Sequence, residues 1–187
     1  MAGGFKTQLH RKENGMFQFA VLAITAVLVG IDQFTKWLAV LSLKDAPPVS
    51  WIPQLLGFSY VENEGAAFGI LQGARWFFLV LTGVTMTAVL LLLLFGNFRR
   101  YTMFNISATL IVAGGFGNFI DRLIHGYVVD FIEFLFIDFP VFNVADCYIV
   151  VGSVLLLIFF CFIYDEKTVK TEKTEGTHGS SPTDSIG

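Results

Sequence analysis

Four apolar stretches, each long enough to cross a bilayer, constrain this chain more than any other feature. A spanning helix needs about 20 mostly apolar residues. Candidates run from about Met16 to Leu41, Arg75 to Gly96, Tyr101 to Ile120 and Cys147 to Tyr164. The first is interrupted near its end by Asp32 and Lys36. The second holds the unbroken Leu90–Leu94 run. The third is weaker, with Asn105, Ser107, Thr109 and several glycines. Of the 187 residues, 55% are hydrophobic and 14% are charged, against about 25% charged in a soluble domain. Lipid must therefore solvate much of the surface. The same composition excludes a disordered chain, a collagen and a disulfide-rich secreted module. A net charge of −3 with no Lys/Arg-rich stripe excludes a nucleic-acid partner. Cys147 and Cys161 lie in or beside apolar runs, which predicts buried, unpaired thiols.

Orientation follows from the basic residues. Lys6, Arg11 and Lys12 precede the first stretch, Arg99 and Arg100 separate the second from the third, and Lys167, Lys170 and Lys173 follow the fourth. These are eight of the twelve Lys and Arg residues. They share one side only if all four stretches span, which puts both termini in the cytoplasm. Trp37, Trp51 and Trp76 fall near the opposite, outer boundary, where indoles favour the interface. The first stretch is too long for a signal-peptide core, and no small-x-small site follows it, so it reads as an uncleaved anchor. No lipid-attachment box is present. The expected organisation is a cytoplasmic tail at 1–15, a four-helix membrane domain at 16–164 and a disordered cytoplasmic tail at 165–187. External loops are expected at about 42–74 and 121–146. In the first, Phe58, Tyr60 and their neighbours alternate as short strands do. The fold class is thus a mainly α membrane protein with a small β-rich region on its outer face.

Ionisable groups at membrane depth are costly and mark function. Asp32 and Lys36 stand four apart, share a helix face and can pair. The expectation is a structural ion pair that lets a polar turn end the helix. Arg122 directly follows Asp121, and so close a cation makes Asp121 a charged brace. Asp138, beside Phe139-Pro140, belongs to an exposed turn. Asp130 and Asp146 differ, because each follows apolar neighbours and has no adjacent cation. Two carboxyls sharing one proton can split water onto a carbonyl, one taking a proton while the other gives one. From the residues alone a second reading stands beside this one. It makes Asp130 an interfacial charge and Asp146 an acid favoured by a helix N-terminus. Asn63, Asn118 and Asn143 can hold a peptide backbone without carrying charge, or can brace loops and helices. Gly114, Gly115 and Gly117 suit close helix packing.

These residues fall in five short motifs. They are Asp-Gln-x-Thr-Lys at 32–36, Asn-x-Gly-Ala-x-Phe-Gly at 63–69, Gly-Asn-x-x-Asp-Arg at 117–122, Val-Val-Asp-Phe at 128–131 and Phe-Asn-x-Ala-Asp-x-x-Ile at 142–149. Together, in this order on a four-helix chain, they resemble bacterial lipoprotein signal peptidase, the signal peptidase II family of aspartic peptidases, over about residues 17–164. The resemblance implies that Asp130 and Asp146 are the catalytic dyad. It implies that Asn63, Gly65, Asn118, Arg122, Asn143 and Ala145 line or support the site, and that Asp32, Lys36 and Asp121 hold its frame. It further implies a diacylglyceryl-modified prolipoprotein as substrate, cut just before the lipidated cysteine. The setting would be the bacterial cytoplasmic membrane, with the site on its outer face. Membrane lipids surround such an enzyme, globomycin-type peptides inhibit it, no cofactor is expected, and a monomer is the expected state. Ala113-Gly114-Gly115 departs from the Gly-Gly-Ala common in the family, a matter of packing rather than chemistry.

Other chemistries find little support. The histidines are His10, His125 and His178, with only His125 on the outer side and no His-Glu-x-x-His pair, so no metal site is expected. No serine lies in a nucleophile motif. His125 reads as a loop residue. A carrier relaying ions through Asp32, Lys36 and Asp121 is permitted by its charges, but they collect at one boundary and form no path across. A binder of lipidated peptides without chemistry is the third class.

Overall fold

The computed structural model describes residues 2–65, 73–96, 98 and 101–164, with backbone alone for residues 2–14. The tail at 165–187, the basic pair at 99–100 and the glycine motif at 66–69 lie outside the described residues. In chain order the elements are α1 (Ala2–Leu43), β1 (Val49–Ile52), β2 (Leu56–Asn63), α2 (Arg75–Phe95), α3 (Thr102–Ile124), β3 (Val128–Phe134) and α4 (Val144–Ile158). A π-helical turn, Phe159–Tyr164, continues α4. Four helices, over Gly15–Leu43, Arg75–Phe95, Thr102–Ile124 and Val144–Tyr164, are long and apolar enough to span a membrane.

α1 is the longest element because no proline interrupts it. It runs through the Asp32/Lys36 turn and stops only at Leu43, ahead of Pro47-Pro48. The expectation that this polar turn ends the helix is thus overturned: its ion pair faces the bundle interior, where a helix can carry it. The expected tail at 2–15 is helical as well.

α3 is the central helix. Its small and polar residues, which make it the least apolar of the four spans, are buried among its neighbours. Ser107, Ala108, Val112, Ala113, Gly114, Gly115 and Gly117 are all buried. A Cβ on Gly114 would strike the Ala145 carbonyl, and one on Gly152 of α4 would lie 2.8 Å from the Ser107 carbonyl. Glycine at these positions lets α3 and α4 touch backbone to backbone. Toward the end bearing Phe98, a cluster of Val21, Leu93, Leu94, Tyr101, Phe104, Ala108 and Phe159 closes the bundle. The outward residues of α1, α2 and α4, such as Phe19, Val84 and Leu157, are exposed and apolar, as a lipid-facing surface must be.

The strands form one antiparallel sheet, ordered β1-β2-β3. The β1–β2 hairpin matches the expected strands in the first external loop. β3 comes from the second loop, so the β region joins both. Val61 of β2 pairs with Asp130, and Asn63 with Val128. β3 is buried on both faces. Val129 and Phe131 pack with Ala39 of α1, while Val128 and Asp130 face the other way. Gly126, at φ +92°, makes the turn that returns the chain from α3 into β3. Trp37, Trp51 and Trp76 are exposed. Cys147 and Cys161 are both free, but Cys147 is only half-buried and Cys161 is exposed. The expectation of buried thiols therefore fails. A thiol on a lipid-facing surface needs no burial in protein to avoid water.

Candidate functional site

The polar residues of the five motifs converge at the sheet end of the bundle. α1 places Asp32, Gln33 and Lys36 there, and α3 places Asn118, Asp121 and Arg122. β2 ends at Asn63, β3 carries Asp130, and α4 begins with Asn143, Ala145 and Asp146.

The frame centres on Lys36, which is 3% exposed. Its ammonium lies 2.9 Å from Asp32 Oδ2, 3.0 Å from Asp121 Oδ2 and 2.9 Å from Asn118 Oδ1. Three donors thus meet three acceptors. The carboxylates reach further. Asp32 Oδ1 accepts from the Ala145 backbone N–H at 2.8 Å, and Asp121 Oδ2 accepts from the Val129 N–H at 3.2 Å. Gln33 Nε2 donates to Asp121 Oδ1 at 2.8 Å and to the Gly117 carbonyl at 3.1 Å. The frame therefore ties α1 to α3, β3 and the first turn of α4. Gln33 was in the first motif but drew no role from the sequence; its signal was its place between Asp32 and Lys36.

The partner expected for Asp121 was Arg122, and this is corrected. Asp121 pairs with Lys36, because successive side chains on a helix diverge and do not face each other. Arg122 instead donates from Nη2 to the Gly65 carbonyl at 2.8 Å and stacks its guanidinium 4.9 Å above the Phe78 ring. Gly65 in turn donates its N–H to Asn63 Oδ1 at 3.0 Å.

Upon this frame sit the two isolated aspartates. Asp130 is 2% exposed. Its Oδ1 accepts from Asn143 Nδ2 at 2.6 Å and its Oδ2 from Asn63 Nδ2 at 2.9 Å. The second bond follows from strand register, since residues diagonal to one another across two strands share a face. Asp146 is half-buried. Its Oδ1 accepts from Asn118 Nδ2 at 2.8 Å and its Oδ2 from the Asn143 backbone N–H at 3.1 Å, while Asn143 Oδ1 accepts from the Asp146 N–H at 3.0 Å. Asn143 and Asp146 thus form a reciprocal capping box at the start of α4. The helix-terminal reading of Asp146 and its place in the site hold together. Asn143 Nδ2 also donates to Asn118 Oδ1 at 3.2 Å. Both aspartates line one cavity of about 580 Å³ with Asn63, Asn118 and Arg122, and its remaining wall is largely apolar.

Burial pushes the Asp130 carboxyl up to about 6, with the nearby Asp146 charge adding to the shift and the Asn63 and Asn143 bonds opposing it. A carboxyl so raised can give and take a proton near neutrality. Among the described residues no cluster of three or more His, Cys, Asp or Glu could hold a metal. His125 is exposed and stacks on Tyr127 with ring centres 5.7 Å apart, outside the cavity. Asp138 is exposed as well.

The sequence pattern of the signal peptidase II (SPase II) peptidases matches residues 24–162. This chain belongs to that family. A lipoprotein signal peptidase of Enterococcus faecalis is 39% identical over 158 residues, covering 84% of this chain and 94% of the relative. One from Streptococcus thermophilus is 40% identical over 143 residues, covering 76% and 93%. A bacterial membrane enzyme structure solved by the in meso method at 2.3 Å superposes with a TM-score of 0.69 at 29% identity, covering 88% of this chain and 94% of that one. The chain is accordingly a multi-pass membrane peptidase.

Proposed function

We propose that this protein removes signal peptides from diacylglyceryl-modified prolipoproteins by cutting before the lipidated cysteine, with Asp130 and Asp146 as the catalytic pair. One observation carries the assignment: the two carboxyls least explained by the structural frame share a single cavity and are joined through Asn118 and Asn143. In this reading Asp146, the more accessible of the two, takes a proton from water as the water oxygen attacks the scissile carbonyl carbon. Asp130 gives its proton to the carbonyl oxygen. The resulting diol collapses, the C–N bond breaks, Asp146 passes its proton to the leaving amine, and Asp130 recovers a proton from the diol. Both groups then stand as they began. Asn63, Asn118 and Asn143 hold the carboxyls in register. Arg122 keeps Gly65, and so the end of β2, against the site, while Asp32, Lys36 and Asp121 hold the frame and Ala145 joins it through its N–H.

The basic residues support a cytoplasmic placement of both termini in a bacterial cytoplasmic membrane, with the dyad at the outer face. There it meets the scissile bond of a lipid-anchored precursor without drawing the lipid from the bilayer. The enzyme acts as a monomer in this reading, and globomycin-type peptides occupy the same cavity. The test is cleavage of a purified diacylglyceryl prolipoprotein by wild type, Asp130→Asn and Asp146→Asn. Wild type cuts before the modified cysteine, and both variants fold without cutting. Normal cleavage by either variant, or binding without cleavage by wild type, overturns the assignment.

A further inference from the structure

The two carboxylates beside Lys36 each reach the residue just ahead of a dyad aspartate. Asp121 Oδ2 accepts from the N–H of Val129, immediately before Asp130. Asp32 Oδ1 accepts from the N–H of Ala145, immediately before Asp146. Val129 is 4% exposed and Ala145 0%, so water does not replace either acceptor, and a buried N–H needs one. Ala145 stands in the first turn of α4, where a helix supplies no acceptor of its own. In both places the acceptor comes from another helix, α3 for Val129 and α1 for Ala145.

These ties differ in kind from the amide bonds of the cavity. Asn63, Asn118 and Asn143 orient the carboxyl groups of the dyad. They do not place the main chains that carry those groups. β3 belongs to the sheet, whereas α4 packs on α3. The Ile132–Phe142 bridge joins the two segments once. One tie leaves a pivot, and a second tie removes it. Lys36 completes the second, because its ammonium holds Asp32 Oδ2 at 2.9 Å and Asp121 Oδ2 at 3.0 Å.

Resting on the proposed dyad, we infer that Asp32 and Asp121 are positioning residues, coupled through Lys36 into one yoke that sets the spacing between Asp130 and Asp146. Neither touches the reacting atoms. They hold two backbones at the separation over which one carboxyl takes a proton while the other gives one.

The yoke is asymmetric, and the asymmetry tests it. Asp121 uses a single oxygen, Oδ2, for both Lys36 and Val129. Asp32 uses both of its oxygens, Oδ2 for Lys36 and Oδ1 for Ala145. An asparagine has one acceptor oxygen with two lone pairs. Asp121→Asn therefore keeps both links, with Gln33 turning its amide to accept from the new Nδ2. Asp32→Asn gives up either Lys36 or Ala145. Each variant removes one negative charge beside the same cation, so charge alone predicts equal effects.

The first measurement is cleavage of a diacylglyceryl prolipoprotein by the full-length protein, at a temperature where both variants are folded. Asp32→Asn lowers kcat about 100-fold, the scale of a misplaced catalytic group, and Asp121→Asn lowers it less than about tenfold. KM stays within about twofold in both. The kcat–pH profile of Asp32→Asn is narrower than that of wild type, because the gap between its limbs reflects how strongly the two carboxyls interact. Equal falls in kcat, losses carried by KM, or a profile of unchanged width overturn the positioning role. The second measurement needs neither turnover nor a variant. Amide hydrogen exchange of wild type, followed by NMR, shows Ala145 protected as well as the interior of α4 despite its first-turn place, and Val129 protected likewise. Rapid exchange at either amide overturns the yoke. If wild type cleaves nothing while both amides stay protected, the peptidase reading fails and the two ties stand without it.

Discussion

Lys36 donates to Asn118 Oδ1 across 2.9 Å, between α1 and α3, and so decides which way the Asn118 amide points. An ammonium can only face the oxygen of an amide. The nitrogen is therefore turned to Asp146, 2.8 Å away. A buried cation with no place in the proposed chemistry thus orients the donor to one of the two aspartates. Lys36→Met leaves Asp32 and Asp121 buried without their cation and lowers stability by about 3–5 kcal/mol, as breaking one side of a buried pair does. It also leaves Asn118 Oδ1 with only the longer, 3.2 Å bond from Asn143 Nδ2 to hold its orientation. Chemical unfolding in detergent checks the first effect, and cleavage at a temperature where the variant stays folded checks the second.

Asn143 serves α4 and Asp130 at once. Its Oδ1 caps the helix, while its Nδ2 reaches Asp130. Asn143→Ala loses both and costs about 1 kcal/mol of stability. Asn143→Ser restores a capping oxygen but not the reach. The serine variant recovers the stability while cleavage stays about 100-fold down, the scale of a misplaced catalytic group. Recovery of activity along with stability would show that the cap alone matters.

Asp130 makes stability depend on pH. Its carboxyl moves from 3.8 when unfolded to about 6 when folded, chiefly through burial. The folded state thus binds this proton more tightly. The associated stability is fully present below about pH 3.8 and is lost as pH rises through about 6, a change of about 3 kcal/mol. Asp130→Asn removes that contribution. The difference in unfolding free energy between the variant and wild type, followed from pH 3 to pH 8, should rise in the variant's favour by this amount, while groups common to both cancel. A flat difference would mean that Asp130 is not desolvated in the folded protein.

Gly117 lets three elements meet. A Cβ there would lie 2.5 Å from Asp32 Oδ2 and 3.1 Å from the Ala145 Cβ. Gly117→Ala therefore pushes α1 and α4 off α3 and costs about 1–3 kcal/mol, the usual range for overpacking. Gly30→Ala on α1 meets nothing within 4 Å and leaves Tm unchanged or raised, because alanine favours helix. Paired thermal scans of the two variants separate crowding from a general effect of replacing glycine.

The covalent order of the chain was enough for the outline. Runs such as Leu90–Leu94 can lie only in lipid, so the four spans follow from length and apolarity alone. The β1–β2 hairpin was legible from alternation around Phe58. Asp130 and Asp146 stood out because each carboxyl follows apolar neighbours and has no cation beside it in the chain, and the five motifs named a family. Partners distant along the chain were another matter. Asp121 stands next to Arg122 yet pairs with Lys36, 85 positions earlier, since helical geometry separates adjacent side chains and brings helices together. β3 was hidden because a strand buried on both faces does not alternate, and its pairing with β2 depends on how α2 and α3 return the chain. The shared cavity, the amide orientations and the division of its walls exist only once α1, α3, α4 and the sheet are packed. Hydrogen bonds act over about 3 Å, and only the tertiary fold sets such distances between residues remote in sequence.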